Sequence, residues 1–271
     1  MKRLRNTGNS PYTFSILNID LLPVVFTTFL ILLWEVITRL DLVDPFILPA
    51  PSKVIHTLVV TFPLMGQHMM ATVFEAVVGF CIAILAGILI AIMMDKVRVL
   101  KRIFYPLLIT SQTVPIITLA PLFAMWFGFG YLPKIVIVVL VCFFPITISL
   151  LKGLESVDKD LLNLLKSMGA SSWDIYKIVK LPAALPSFFS GLKISGTYSI
   201  MAAVIGEWVG GRRGLGIYML RVKNSFATDR VFAAILVIVL LSIGVLKFIG
   251  FIESKAMPWN KEIYGLKKEE E

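Results

Sequence analysis

Apolar residues in this chain come in runs too long for strands and too continuous for the single stripe of a surface helix. A transmembrane helix needs about 20 mostly apolar residues, and six stretches reach that length: 20–40, 71–94, 103–127, 133–151, 185–208 and 231–252. They predict an all-α membrane protein with six transmembrane helices and both termini on one side. The segments that follow are an N-terminal tail, 1–19; the first helix with an outer loop, 20–67; a core of five helices, 68–252, which includes the loop 152–184; and a C-terminal tail, 253–271. The start Met1-Lys2-Arg3-Leu4-Arg5 is like the basic region of a signal peptide. Its apolar stretch runs long, however, and no small-x-small cleavage site follows, so the first stretch is expected to remain as an anchor.

Within lipid, helices associate through close packing of small residues, because apolar burial gains little over lipid tails. Two stretches carry such residues at i, i+4 spacing. Gly79, Ala83, Gly87 and Ala91 make one stripe; Ser187, Gly191, Ser195, Ser199 and Ala203 make the other. One further step along each reaches Glu75 and Glu207, which places two carboxylates at similar depth on closely packed faces. Two readings stand for them: lining or gating a polar route, or a structural carboxylate paired with Arg212 or Arg213 or wetted at the headgroups. For Glu35 and Lys193, snorkelling is favoured over a substrate contact. The third stretch holds Thr110-Ser111-Gln112-Thr113-Val114-Pro115 and then Pro121, which interrupts the helix at membrane depth. Gln112 and Thr113, with Thr147 and Ser149 after Pro145, are candidates for lining a translocation path; a kink repaired by neighbouring helices is the alternative.

Composition agrees with a membrane class: 58% of residues are hydrophobic and 16% charged, against roughly 25% charged in soluble domains. Cys81 and Cys142, 61 residues apart in apolar runs, read as small hydrophobes. The net charge of +9 is spread between the apolar stretches, so topology explains it better than nucleic acid does. With the N-terminus inside, the inner segments hold 16 Lys and Arg and the outer ones 8, which supports cytoplasmic N and C termini. Five of the outer eight fall in the loop 209–230. Because Ile217, Tyr218, Leu220, Val222 and Phe226 interrupt its charges, an interfacial helix is favoured there over a surface that steers a partner. His56 and His68, 12 apart in the predicted outer loop, lack the spacing of a helical metal pair, so no metal site is expected.

The inner loop 152–184 is structured. Asp158 is a plausible N-cap for an amphipathic run ending at Met168, Gly169 a plausible stop, and Ser171 or Ser172 a cap for a second short helix presenting Trp173 and Tyr176 before Pro182. A helix–turn–helix of this kind is suited to docking in a partner's groove. The segment resembles the cytoplasmic loop of bacterial ABC importer permeases, the binding-protein-dependent transport inner-membrane family, whose signature is Glu-Ala-Ala, three residues, Gly, nine residues, Ile-x-Leu-Pro. Gly169 matches the glycine and Val179-Lys180-Leu181-Pro182 the end of the signature. Asn163-Leu164-Leu165 stands in place of Glu-Ala-Ala, so any role of that glutamate does not carry over.

The likeness extends over nearly the whole chain. Leu48-Pro49-Ala50-Pro51-Ser52, Leu119-Ala120-Pro121-Leu122-Phe123, Trp126-Phe127-Gly128-Phe129-Gly130, Leu181-Pro182-Ala183-Ala184-Leu185-Pro186 and Gly214-Leu215-Gly216 resemble the branch handling sulfonates, taurine, nitrate and thiamine precursors. Lys166-Ser167-Met168-Gly169-Ala170-Ser171, Phe188-Phe189-Ser190-Gly191-Leu192-Lys193 and Ile205-Gly206-Glu207-Trp208 are most similar to permeases for the pyrimidine precursor of thiamine. The resemblance implies a type I importer permease fold. Gly169, Ala170, Ser171, Trp173 and Asp174, with Leu181 and Pro182, would couple to the ATPase. It also implies a second permease copy, two ABC ATPase subunits and an extracytoplasmic solute-binding protein in the cell membrane. This chain has no Gly-x-x-x-x-Gly-Lys-Ser/Thr loop, so no cofactor is expected on it; ATP and Mg are expected on the ATPase. A secondary transporter is the alternative of another class, disfavoured because the proline breaks of the third and fourth stretches have no counterpart in the fifth and sixth. A membrane enzyme would need a catalytic constellation that the residues do not offer.

Overall fold

The computed structural model describes residues 21–209 and 211–259, and every regular element in them is helical. In order these are α1 (Leu21–Arg39), α2 (Pro51–Lys96), α3 (Arg98–Ser111), α4 (Ile116–Phe127), α5 (Tyr131–Glu155), α6 (Lys159–Ser167), α7 (Ser172–Asp174), a π-helical turn (Ile175–Lys180), α8 (Leu181–Glu207), α9 (Leu215–Asn224) and α10 (Thr228–Ala256). The predicted tail 1–19 and residues 260–271 lie outside the described residues.

Small side chains set the centre of the bundle. Gly79, Ala83, Gly87 and Ala91 all face inward on α2, and a Cβ on Gly79 or Gly87 would fall 2.6 Å from Val138 Cβ or 2.9 Å from Ile146 Cγ2 of α5. Farther along α5, a Cβ on Gly191 of α8 would fall 2.6 Å from Ser149 Cβ. The same seam is stitched by Ser195 Oγ donating to the Cys142 carbonyl at 3.0 Å and Cys142 Sγ donating to the Ser195 carbonyl at 3.3 Å. Helix α5 is thus clamped between α2 and α8 at backbone contact, the geometry that small residues permit in lipid.

Five helical segments are long and apolar enough to cross a membrane: α1, α2, α5, the continuous run from α7 through α8, and α10. The predicted third stretch, 103–127, is not one helix but two, α3 and α4, bent by 102°. Pro115 cannot donate a helical hydrogen bond and caps α4 in an extended conformation, so the chain turns at Gln112–Pro115. The pair still makes one crossing. Lys101 of α3 is ion-paired with Glu155 at the end of α5, and α4 leads into the start of α5 at Tyr131.

Two other expectations need correcting. Residues 51–67 are not a loop: they extend the second stretch at its N-terminal end in a single 46-residue helix, α2. At 1.5 Å per residue this helix is about 70 Å long, more than twice the hydrocarbon thickness of about 30 Å. Glu35 does not snorkel; it accepts from the Ser52 amide at 3.0 Å and the Ser52 hydroxyl at 2.7 Å, capping the start of α2 and tying α1 to it. Lys193 is ion-paired with Glu253 of α10.

Candidate translocation path and coupling face

Loop 152–184 is an elbow built from caps. The Asp158 carboxylate accepts from the Asp160 amide at 2.8 Å and starts α6. Gly169, at φ +86°, ends it: its amide donates to Lys166 O and that of Ala170 to Leu165 O, each at 3.0 Å. That pair of bonds is a Schellman closure, which needs the left-handed conformation glycine adopts without strain. Ser171 Oγ then accepts from the Asp174 amide at 3.1 Å to begin α7. Trp173 is 63% exposed and stacks on Tyr176 with ring centroids 6.5 Å apart. Contrary to expectation, Pro182 does not separate this element from the next span. The helix widens ahead of it into the π turn, with Leu181 N donating to Tyr176 O, and so accommodates the ring without breaking. Lys180 of that turn holds Asp95 at the end of α2 at 2.7 Å, and thereby links the elbow to the bundle.

At the opposite end of the bundle, Glu75 and Glu207 belong to one polar cluster. Both are fully buried, and Glu75 Oε2 has no hydrogen-bond partner among the described residues. Neither is paired with Arg212 or Arg213, which are exposed. Lys134 of α5, itself buried, donates to Glu75 Oε1 at 2.6 Å. Glu207 accepts from Thr72 Oγ1 at 2.6 Å and from the Gly216 amide. Thr72 Oγ1 in turn accepts from Leu215 N at 2.9 Å, and His68 Nδ1 from Gly214 N at 3.1 Å. The start of α9 is therefore capped by side chains of α2 and α8, with the Glu207 carboxylate at the positive end of its dipole. Gly214 sits at φ +132°, and a Cβ there would lie 2.1 Å from Glu207 Cδ. Only glycine fits. This cluster locks α2, α5, α8 and α9 together.

Lys134 had the look of an outer-loop charge, and Thr72 carried no signal; His68 was weighed only as a metal ligand, and Gly214 and Gly216 stood out only through the family resemblance. A lysine within Leu132-Pro133-Lys134-Ile135, just inside an apolar run, was the one available hint of a buried cation. His68 lies on α2, not in a loop, and no group of three or more metal-binding side chains occurs among the described residues. Helix α9 also differs from the interfacial helix expected of 209–230. Its Leu215, Tyr218 and Val222 are buried against Val54 and Met65 of α2 and Ala233 and Ala234 of α10, while Arg221 and Lys223 stay exposed.

The four other path candidates divide. Thr147 is buried on the α2 seam, where its hydroxyl donates to Phe143 O at 2.7 Å, and Ser149 packs under Gly191. Both serve helix packing. Gln112 and Thr113 are exposed at the α3–α4 hinge, and Gln112 lines a groove of about 390 Å³ against Leu140, Phe144 and Tyr198.

A helical membrane bundle with one crossing broken at depth, and a capped elbow exposed at one end, is the architecture of a transport-channel subunit. Residues 83–257 match the family described as the binding-protein-dependent transport system inner membrane component, and the chain belongs to that family. It is similar to the formylaminopyrimidine transport permease protein ThiX of Halalkalibacterium halodurans, 35% identical over 89% of this chain and 96% of that one. It is 29% identical to the putative aliphatic sulfonates transport permease protein SsuC of Bacillus subtilis, over 90% of this chain and 88% of that one. Among solved structures, an amino acid ABC transporter crystallised with histidines superposes with a TM-score of 0.59 at 17% identity, over 73% of this chain and 96% of its own, which supports the fold. The chain is an ABC importer permease, with ATPase and binding-protein partners implied by the family.

Proposed function

We propose that this permease imports a pyrimidine precursor of thiamine. Two copies would form the channel in the cytoplasmic membrane, with N and C termini inside. Support for the substrate comes from the 35% identity to a formylaminopyrimidine permease across 96% of that relative's length. Support for the orientation comes from Lys134: buried in the cluster with Glu75, it drops out of the outer charge count and leaves seven Lys and Arg there against 16 inside.

In this reading the chain is a non-catalytic subunit that binds no cofactor of its own, and ATP and Mg sit on the separate ATPase. The exposed elbow from Gly169 to Asp174 is the part that ATPase would grip. Closure of the ATPase dimer moves the elbow. Because the π turn runs unbroken into α8 and is tied to α2 through Asp95, the push passes to the two helices that clamp α5 and rocks the half-channels as rigid bodies. The outer cluster of Glu75, Lys134 and Glu207 keeps α9 attached during that motion.

The importer assembled with its ATPase and binding protein in proteoliposomes is expected to hydrolyse ATP faster with formylaminopyrimidine. Stimulation by an alkanesulfonate instead would keep the class and replace the substrate. Gly169→Val is expected to abolish ligand-stimulated hydrolysis while membrane insertion persists, because a β-branched residue at φ +86° is strained by roughly 1–2 kcal/mol and distorts the elbow's turn. Wild-type stimulation in that variant would remove the elbow from the coupling route.

A further inference from the structure

The groove at the α3–α4 hinge lies at the middle of the bundle. Its walls come from Leu140 to Pro145, the central turns of α5, from Tyr198, just past the middle of α8, and from the broken backbone after Ser111. Irregular backbone at this depth is tolerated only where protein or a water-filled cavity covers it, because lipid tails offer no hydrogen bonds. Gln112 and Tyr198 are nonetheless exposed on a single chain. This face therefore opens to a polar space between subunits and not to lipid.

The chemistry of the groove is restrictive. Ser111 donates to Leu108 O at 2.8 Å, which leaves the Gln112 amide and the Tyr198 hydroxyl as its side-chain groups able to meet a ligand. The remaining walls are apolar, with Phe144 contributing a second ring, and no charged side chain lines it. Lys134, Lys180 and Lys193 are each already ion-paired, with Glu75, Asp95 and Glu253. An anion entering here would lose its water and find no cation, a penalty of several kcal/mol. A flat neutral ring would lose far less, and would regain hydrogen bonds from an amide and a phenol between aromatic and aliphatic walls.

We infer that this groove is one half of an intramembrane substrate site for an uncharged, planar, hydrogen-bonding heterocycle, with Gln112 and Tyr198 as its specificity-determining side chains. The inference rests on the importer reading above and goes beyond it, since it assigns selectivity to the permease as well as to the binding protein. A volume of about 390 Å³ on one chain leaves room for a single small ring.

The test is ATP-dependent uptake of radiolabelled formylaminopyrimidine and of taurine by the complete importer in proteoliposomes, comparing wild type with Tyr198→Phe and Gln112→Leu. Tyr198→Phe keeps the ring and removes its hydroxyl, Gln112→Leu replaces the amide with a slightly shorter apolar side chain, and co-elution with the ATPase confirms assembly. Pyrimidine uptake per ATP hydrolysed is expected to fall about three- to tenfold in each variant, the loss of one hydrogen bond to a neutral partner, and taurine is expected not to cross. A loss in either assembled variant supports the half-site. Wild-type pyrimidine uptake in both overturns it and leaves the substrate reading intact. Wild type that carries no pyrimidine overturns the substrate reading, and transport of taurine by wild type also overturns the half-site, because a zwitterion with a full sulfonate and a full ammonium charge would then have crossed an uncharged groove.

Discussion

Lys134→Met is expected to destabilise the folded permease by about 3–5 kcal/mol, the cost of leaving a buried charge without its partner. Methionine fills a similar volume, so packing against Tyr131 and Gly206 is largely kept and the effect is electrostatic. What remains is two fully buried carboxyls in one cluster, Glu75 and Glu207, and Glu75 has lost its only ion-pair partner among the described residues. Glu75→Gln in the same chain removes one of the two negative charges and is expected to return a good part of the loss. The order of stability is then wild type, double variant, single variant. Thermal unfolding of the detergent-solubilised protein, followed by tryptophan fluorescence, reads that order directly. A single variant that melts with wild type would mean that the Glu75–Lys134 contact carries no net stabilisation and that α9 is held by its apolar contacts alone.

How far this site was legible from sequence depends on the distance over which each signal acts. The i, i+4 stripes of small residues are local, and they located the α2–α5 and α5–α8 seams; the same periodicity, carried one step further, reached Glu75 and Glu207. Their partner was out of reach, because Lys134 lies 59 residues from Glu75 and nothing local distinguishes a buried lysine from one at the end of a span. A ruler of about 20 apolar residues likewise missed the N-terminal part of α2, where polar residues such as Thr57, Thr61 and His68 sit on the buried face and interrupt the run. Thr57 has a specific reason to be there, since it donates to Asp229 of α10 at 2.8 Å. The amphipathic pattern of α9 was visible, but periodicity does not say whether an apolar face meets lipid or protein. Caps, by contrast, were readable, since Asp158, Gly169 and Ser171 act within three or four residues of themselves. The hinge residues Gln112 and Thr113 were visible as a break, whereas Tyr198, in a regular helix, became notable only once the fold set it opposite the hinge.

Gly191→Leu is expected to prevent the bundle from assembling, a larger effect than the loss of any hydrogen bond in it. A Cβ at this position falls 2.6 Å from Ser149 Cβ and 3.0 Å from the Pro145 carbonyl, so α5 and α8 would have to separate. Relaxation is blocked, because one of the two obstacles is backbone and α5 is also in close contact with Gly79 and Gly87 of α2. Overpacking that cannot be relieved costs at least about 1–3 kcal/mol for small insertions, and an isobutyl group at a seam with no free space exceeds that range. Gly244 on α10 is the control. Nothing lies within 4 Å of a Cβ built there, so Gly244→Ala is expected to be neutral or to gain up to about 1 kcal/mol from helix propensity. Both glycines lie inside apolar stretches, but only Gly191 belongs to an i, i+4 stripe of small residues; Gly244 has Leu240 and Phe248 at those spacings. Size-exclusion chromatography of fluorescent-protein fusions should show a folded peak for Gly244→Ala and aggregate for Gly191→Leu. A monodisperse Gly191→Leu peak at wild-type yield would show that α5 and α8 can part without loss, and the clamp that carries motion from the elbow to the centre of the channel would then have to lie elsewhere.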